Sequence, residues 1–190
     1  MKVELIFACD SVGGIGFEGR LPWPHFKEDM VKFQELTKRE GAVSVMGRRT
    51  AEDILAAAKE RGRTDEDIAE RGLLAGRTSI VLTESVDEFA GATVRKTLRD
   101  VFNEYQSTDS TLCIIGGVAL FVQGIAWANT VHITQIDSTY ECDTKIDLPS
   151  FTKLGYIIEP GSMLRIESEE LGVSAYTYRL INTKPAAITQ

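Results

Sequence analysis

Four short segments of this chain combine residue types that bind anions or handle a proton. Asp29 falls on an amphipathic pattern, 26–38, in which Phe26, Met30 and Phe33 form one apolar face. A carboxylate at the edge of such a face is partly stripped of water. That raises its pKa and suits it to a cationic or hydrogen-bond-donating heterocycle. A surface carboxylate answering the dipole of a helix first turn would have the same spacing. A glycine-rich loop, 13–20, and Leu21-Pro22-Trp23-Pro24 lead into this helix, and a loop of that kind suits a lid.

The other three segments favour anions. Cys113-Ile114-Ile115-Gly116-Gly117 runs as a strand into Gly-Gly and then an apolar helix. Free N–H groups and the helix dipole there make a phosphate seat, although Gly-Gly serves plain tight turns equally. The GxGxxG dinucleotide fingerprint is absent. Met46-Gly47-Arg48-Arg49-Thr50 repeats the strand-to-helix arrangement. Thr50 is expected to cap the helix, and the two arginines either hold a phosphate or face solvent. Gly76-Arg77 precedes another strand. Its guanidinium fork fits a carboxylate, the alternative being a turn with a surface cation. His25 follows two prolines and is expected to be exposed, while His132 is expected to pack on its strand; neither forms a His–Asp or Cys–His pair in sequence.

The elements that must carry these groups alternate. Short apolar runs at 3–9, 42–46, 78–83, 112–115 and 130–136 suit strands covered on both faces. Helical patterns at 26–38, 50–61, 97–105 and 118–127 lie between them. This order predicts a mostly parallel α/β sheet. Segments 156–159 and 175–181 read as a closing antiparallel pair, and the polar tail after Asn182 as frayed. The stretch 61–72 is the most charged; it reads as a solvated surface insertion whose Thr64 and Asp67 have capping-box spacing.

Composition bounds the function. The 190 residues are 43% hydrophobic and 26% charged, ordinary values for a globular domain. Such a chain buries roughly 70% of its unfolded surface, so its core needs no disulfide or metal. A net charge of −7 argues against nucleic acid or anionic membrane as partner, since both need a broad basic field. Three scattered cysteines without a CxxC pair, and two histidines, complete no typical zinc site, and no metal is expected. The odd cysteine count fits a reducing compartment, and the N-terminal apolar run, broken by Asp10, is too short for a signal peptide. A soluble cytoplasmic protein is expected.

Taken in order, these segments resemble dihydrofolate reductase from residue 3 to about 181. The likeness rests on Ile15-Gly16, Leu21-Pro22-Trp23, the helix bearing Asp29, Met30, Phe33 and Thr37, Met46 to Thr50, Gly76-Arg77, Ile115-Gly116-Gly117 and Ile133-Thr134. The resemblance implies one α/β domain over 1–182, with a mixed, mostly parallel, eight-stranded twisted sheet flanked by helices. It leaves a charged insertion at about 55–73 and a flexible tail at 183–190. It implies a monomer that reduces 7,8-dihydrofolate to 5,6,7,8-tetrahydrofolate with NADPH, in support of one-carbon and thymidylate metabolism.

Carried over residue by residue, the catalytic set is Asp29, Leu21, Trp23 and Thr134. Asp29 would pair with the pterin 2-amino group and N3, with Thr134 supporting it. The substrate would further meet the carbonyls of Ile6 and Ile115, walls from Met30, Phe33, Ile54 and Leu74, and Arg77 at its glutamate carboxylate. The cofactor would meet Ala8 and Ile15 at its carboxamide and Gly16, Gly19 and Arg20 on the closing loop. Gly47, Arg48, Arg49, Thr50, Gly116 and Gly117 would meet its phosphates. Leu82, Thr83, Glu84, Lys96, Val118, Ala119, Leu120 and Phe121 would complete that site.

Overall fold

The computed structural model describes residues 1–169 and 172–183. Along the chain the elements are β1 (Lys2–Cys9), β2 (Gly14–Gly16), α1 (Lys27–Thr37), β3 (Ala42–Gly47), α2 (Arg48–Glu60), α3 (Asp65–Arg71), β4 (Thr78–Leu82), β5 (Thr93–Arg95), α4 (Leu98–Tyr105), β6 (Thr111–Gly116), α5 (Val118–Gly124), β7 (Thr130–Ile136), β8 (Thr144–Lys145), α6 (Leu148–Lys153), β9 (Tyr156–Ile158), β10 (Leu164–Ser168) and β11 (Val173–Asn182).

The main sheet has the order β10-β11-β7-β1-β6-β3-β4-β5, with β9 against β11. Neighbours from β7 to β5 are parallel, and β11 is antiparallel to β7, β9 and β10. This is the expected mixed, mostly parallel sheet, with nine strands among the described residues where eight were expected. The apolar runs do not announce β5 or β10. β5 is three residues at the sheet edge, and β10 carries Arg165 and Glu167 in a largely exposed edge strand. β2 and β8 form a separate small sheet beside the glycine loop. No helix among the described residues is long and apolar enough to cross a membrane.

Alternation along β1 sorts the chemistry from the core. Val3, Leu5 and Phe7 join the main core with Leu112, Ile114, Val101, Phe102 and Phe121. Glu4, Ile6 and Ala8 therefore face the opposite side, where Ile6, Leu36 and Cys113 pack together under α1. Two tight aromatic contacts brace the main core, Phe7 on Phe121 at 5.2 Å and Phe102 edge-on to Trp127 at 4.8 Å between ring centroids.

Two sequence expectations change. α2 begins at Arg48, so Thr50 is inside the first turn and does not cap it; β3 runs on to Gly47, whose extended backbone makes it the N-cap. The stretch 61–72 is also more than a solvated surface. It holds α3, whose cap Thr64 accepts from the Asp67 amide, and Ile68 on that helix is fully buried. The full capping box occurs instead at α4, between Thr97 and Asp100. The expected tail lies, from residue 184, outside the described residues.

Candidate active site

α1 enters without a side-chain cap and carries Glu28 and Asp29 in its first turn. Its buried positions are Asp29, Leu36 and Thr37, so Asp29 faces the sheet. The Asp29 side chain is 8% exposed and Thr134, on β7, is 5% exposed. Burial pushes the Asp29 carboxyl above the usual range, and the Thr134 hydroxyl opposes that shift only in part. Asp29 and Thr134 line a cavity of about 260 Å³ together with Ile6, Ala8, Phe33 and His132.

The strand ends beside Asp29 are built to open. The β1–β6 ladder stops at Leu5↔Ile114, and the β3–β6 register shifts between Val45↔Ile114 and Met46↔Gly116. Ile6 and Ile115 thus lie past the end of the β1–β6 ladder, Ile6 still paired with His132 on β7 and Ile115 at the irregularity facing β3, so β1 and β6 part here and leave room for a ligand at the strand ends. Next to them Phe33, Ile54 and Ile115 pack on buried Met46, Leu73, Leu74 and Val81, forming one apolar wall.

Arg77 closes the far end of that wall. It donates from a terminal nitrogen to Thr37 Oγ1 at 2.9 Å, and its guanidinium carbon stands 5.6 Å from the centre of the Phe33 ring. Its Nε is buried without a partner among the described residues. Burial, and then the nearby Arg63 charge, lower its pKa. A fork held on one side by Thr37, with an unpartnered buried donor, is suited to a carboxylate.

The second half of the site lies where two helices start from glycine. Gly47 and Gly117 are the N-caps of α2 and α5, and neither supplies a side-chain oxygen to the orphan N–H groups. A Cβ on Gly116 would meet Thr50 Oγ1 at 3.0 Å and Cγ2 at 3.1 Å. A side chain at Gly116 would press on Thr50, so glycine there lets the two turns sit close together. Beyond it lies a cavity of about 550 Å³, lined by Leu82, Thr83, Glu84, Ser85, Lys96, Thr97, Leu98, Leu120 and Gln123. Arg48 and Arg49 stand exposed in the first turn of α2. Arg48 contacts Ser85 Oγ at 3.0 Å and Glu52 at 3.4 Å. The uncapped amides, the arginines and the glycine cradle fit a phosphorylated dinucleotide, with its phosphates at the turns.

A family model described as "Dihydrofolate reductase" matches residues 2–64 and 62–159. The chain belongs to the dihydrofolate reductase family. Among relatives, dihydrofolate reductase type 8 of Escherichia coli is 28% identical over 163 residues, covering 80% of this chain and 85% of its own. Dihydrofolate reductase of Haemophilus influenzae is 30% identical over 144 residues, 76% of this chain and 78% of its own. The chain spans only 29% of the bifunctional dihydrofolate reductase-thymidylate synthase of Paramecium tetraurelia, at 27% identity. A solved Enterococcus faecalis dihydrofolate reductase, complexed with NADP(H) and RAB-propyl, has the same fold. Its TM-score is 0.77 over 96% of this chain and 97% of its own, at 24% identity. Membership makes the chain an enzyme, a dihydrofolate reductase.

Thirteen of the residues that the dihydrofolate reductase resemblance singled out fall into three groups. Asp29, Thr134, Ile6, Ala8 and Phe33 meet at one cavity; Ile54, Leu74 and Ile115 meet at the wall beside it; Leu82, Thr83, Glu84, Lys96 and Leu120 line the second cavity. Trp23 anchors the loop, 6% exposed among Phe26, Ile136 and Ala175, whereas Leu21 is 52% exposed. Arg20 reaches out to Glu60 at 3.4 Å, and Gly19 lies beside Asp53. Ile15 and Gly16 are half-buried on β2, Met30 half-buried on α1, Val118 half-buried on α5 and Ala119 exposed. Phe121 does not face the cofactor side. It is 3% exposed in the main core, because the α5 face that packs on β1 takes it inward against Phe7.

Two further groups, centred on Asp10 and Glu4, stand outside the set that the sequence pattern implies. Asp10, fully buried, accepts at Oδ1 from the amides of Val12 at 2.9 Å and Gly14 at 2.6 Å, and at Oδ2 from the Tyr140 amide at 3.0 Å. It ties the root of the glycine loop to the segment before β8. Asp10-Ser11-Val12 leading into Gly13-Gly14 is the signal that was there, since Asp closes turns onto nearby amides. Glu4 centres the second group. Its Oε2 meets Arg39 at 2.6 Å and His132 Nε2 at 2.9 Å. A lone carboxylate inside an apolar strand implies such partners. His132 therefore does more than pack, and His25 is exposed as expected.

Proposed function

We propose that this dihydrofolate reductase takes 7,8-dihydrofolate to 5,6,7,8-tetrahydrofolate with NADPH, its catalytic unit being residues 1–182, and that it supplies one-carbon and thymidylate metabolism. The observation that carries the reading is Asp29: a carboxyl 8% exposed, raised by burial and supported by the Thr134 hydroxyl. Such a group is poised for a partner that brings its own donors or positive charge.

In this reading Asp29 accepts hydrogen bonds from the pterin 2-amino group and N3. Its charge favours a protonated N5, which makes C6 a better hydride acceptor. A carboxylate gripping N3 cannot also touch N5, so the proton reaches N5 through water. The carbonyls of Ile6 and Ile115 accept further donors of the ring, Phe33, Ile54 and Leu74 exclude water around it, and Arg77 holds the glutamate carboxylate. Gly47, Arg48, Arg49, Thr50, Gly116 and Gly117 hold the phosphates of NADPH, and Thr83, Glu84 and Lys96 stand around its adenosine end. When bound, the nicotinamide supplies the hydride. The loop rooted on Asp10 and Trp23 covers the reacting faces and keeps solvent from them.

The test is direct. Purified protein with dihydrofolate should consume NADPH, read as loss of absorbance at the NADPH band. Binding of NADPH without turnover of dihydrofolate would overturn the reading.

A further inference from the structure

The charged stretch before β4 has a place beside the substrate tail that its composition conceals. Arg63 is 20% exposed although its neighbours are mostly solvated. Its Nε meets Asp67 Oδ2 at 2.5 Å, one terminal nitrogen donates to the Leu73 carbonyl at 2.8 Å, and the other to the Gly72 carbonyl at 2.8 Å. Those donors are spent on the chain itself, so the guanidinium is not held out for a ligand. The segment it grips is pressed from the other side too. The Leu73 amide donates to Gly91 at 2.7 Å, and a Cβ on Gly91 would stand 2.5 Å from the Leu73 nitrogen and 2.6 Å from the Ile68 carbonyl.

The turn that begins at this segment delivers Arg77. The Gly76 amide donates to Arg71 at 2.9 Å and the Arg77 amide to Leu74 at 3.0 Å. Gly72 and Gly76 both take positive φ, 86° and 70°, and 72–77 contains no proline. A turn with two such glycines has little stiffness of its own. Its rigidity must come from outside, from Gly91 on one side and from the Arg63 side chain on the other.

We propose that Arg63 is a positioning residue for Arg77: by pinning the Gly72 and Leu73 carbonyls it fixes the turn that sets the Arg77 fork against the substrate's carboxylate tail. This rests on the reading of Arg77 as the carboxylate clamp. Arg63 also adds a second positive charge near that end of the site, which lowers the Arg77 pKa.

The test compares two substrates. Dihydrofolate carries the glutamate tail; 6-methyl-7,8-dihydropterin carries the ring alone. Arg63→Met keeps the buried stem and removes the donors. It should raise the KM for dihydrofolate roughly five- to twentyfold, toward the low end of what losing a charged hydrogen bond costs because the clamp is loosened and not removed, with kcat little changed. It should leave the KM for the dihydropterin within about twofold, the scatter of sites that do not couple. A drop in Tm with both KM values unchanged, or both raised equally, would mean Arg63 serves the fold only and would overturn the proposal. Arg77→Met separates the two readings: if it leaves the dihydrofolate KM unchanged, the clamp itself is wrong; if it raises that KM while Arg63→Met does not, only the positioning role is wrong. Should Arg63→Met fail to fold, Asp67→Asn, which loosens the same guanidinium, must show a smaller rise confined to dihydrofolate; no such rise overturns the proposal.

Discussion

Two carboxylates share the α1 side of the sheet, are buried to almost the same degree, and are shifted in opposite directions. Glu4 is 7% exposed and Asp29 8%. Burial works against ionisation in both. At Glu4 the hydrogen bonds and charges of His132 and Arg39 outweigh it and bring the carboxyl down to about 2. At Asp29 burial wins, with only Thr134 opposing. The difference lies in the partners, not in depth. Glu4 ties β1 to β7 and, through Arg39, which also donates to the Leu36 carbonyl at 2.9 Å, to the end of α1. Asp29, at the other end of that helix, is left without such compensation. A fold keeps an uncompensated charge only at some cost to stability, and such sites are where function concentrates.

The largest expected effect comes from Asp29→Asn. Turnover near pH 7–8 should fall by roughly 10²–10⁴-fold, the usual worth of acid-base assistance. The defect should shrink toward low pH, where solvent protonates the substrate. Stability should move the other way. A carboxyl whose folded pKa is raised favours folding most when protonated, and that support is lost as pH rises through the folded pKa. Removing the charge should therefore raise Tm at neutral pH, by about 2–4 °C per kcal/mol recovered. A near wild-type rate, or a lower Tm in a folded variant, would erase the contrast with Glu4.

Arg77 extends the comparison to a cation, one side held by Thr37 and Nε left without a partner among the described residues. Arg77→Lys keeps the charge and loses the planar fork. The KM for dihydrofolate should rise roughly tenfold and kcat much less, because the contact binds ground and transition states alike. Steady-state kinetics on the two parameters checks this.

Glu4→Gln should do the opposite of Asp29→Asn, lowering stability by about 1–2 kcal/mol at pH 7 while leaving kcat nearly intact. A depressed carboxyl adds stability above its ordinary pKa of 4.5 and loses it as pH falls toward about 2. The gap between variant and wild type, followed by thermal melts, should close across that window. A gap independent of pH would show that Glu4 acts by packing alone.

The smallest effect is expected at the rim of the second cavity, where Glu84 and Lys96 both stand exposed. Glu84→Arg should tighten NADPH binding by roughly three- to tenfold and steepen its salt dependence, with NADH unchanged, since only NADPH carries the ribose phosphate. Dissociation constants for both cofactors decide it; equal tightening would place Glu84 away from that phosphate.

Much of the framework was legible in the chain itself. The apolar runs at β1, β3, β4, β6 and β7 are unbroken enough to specify strands covered on both faces, and the glycine turns after β3 and β6 are implied by the strand-to-helix pattern. Asp29 could be placed at the edge of a helical apolar face by spacing alone. Spacing could not say whether that edge met water or the sheet, because the answer depends on α1 docking against β1 and β7. The same docking created the Glu4–Arg39–His132 group from residues up to 128 positions apart. Local periodicity says nothing about contacts at that separation. β5 and β10 escaped for a different reason: one is too short to show a period, the other a largely exposed edge strand. In 61–72 the sequence determined a capped, charged helix. Only the tertiary structure decided that Ile68 would be buried and that Arg63 would turn inward, because the carbonyls it satisfies are presented by a turn held in place through the Leu73 amide by distant Gly91.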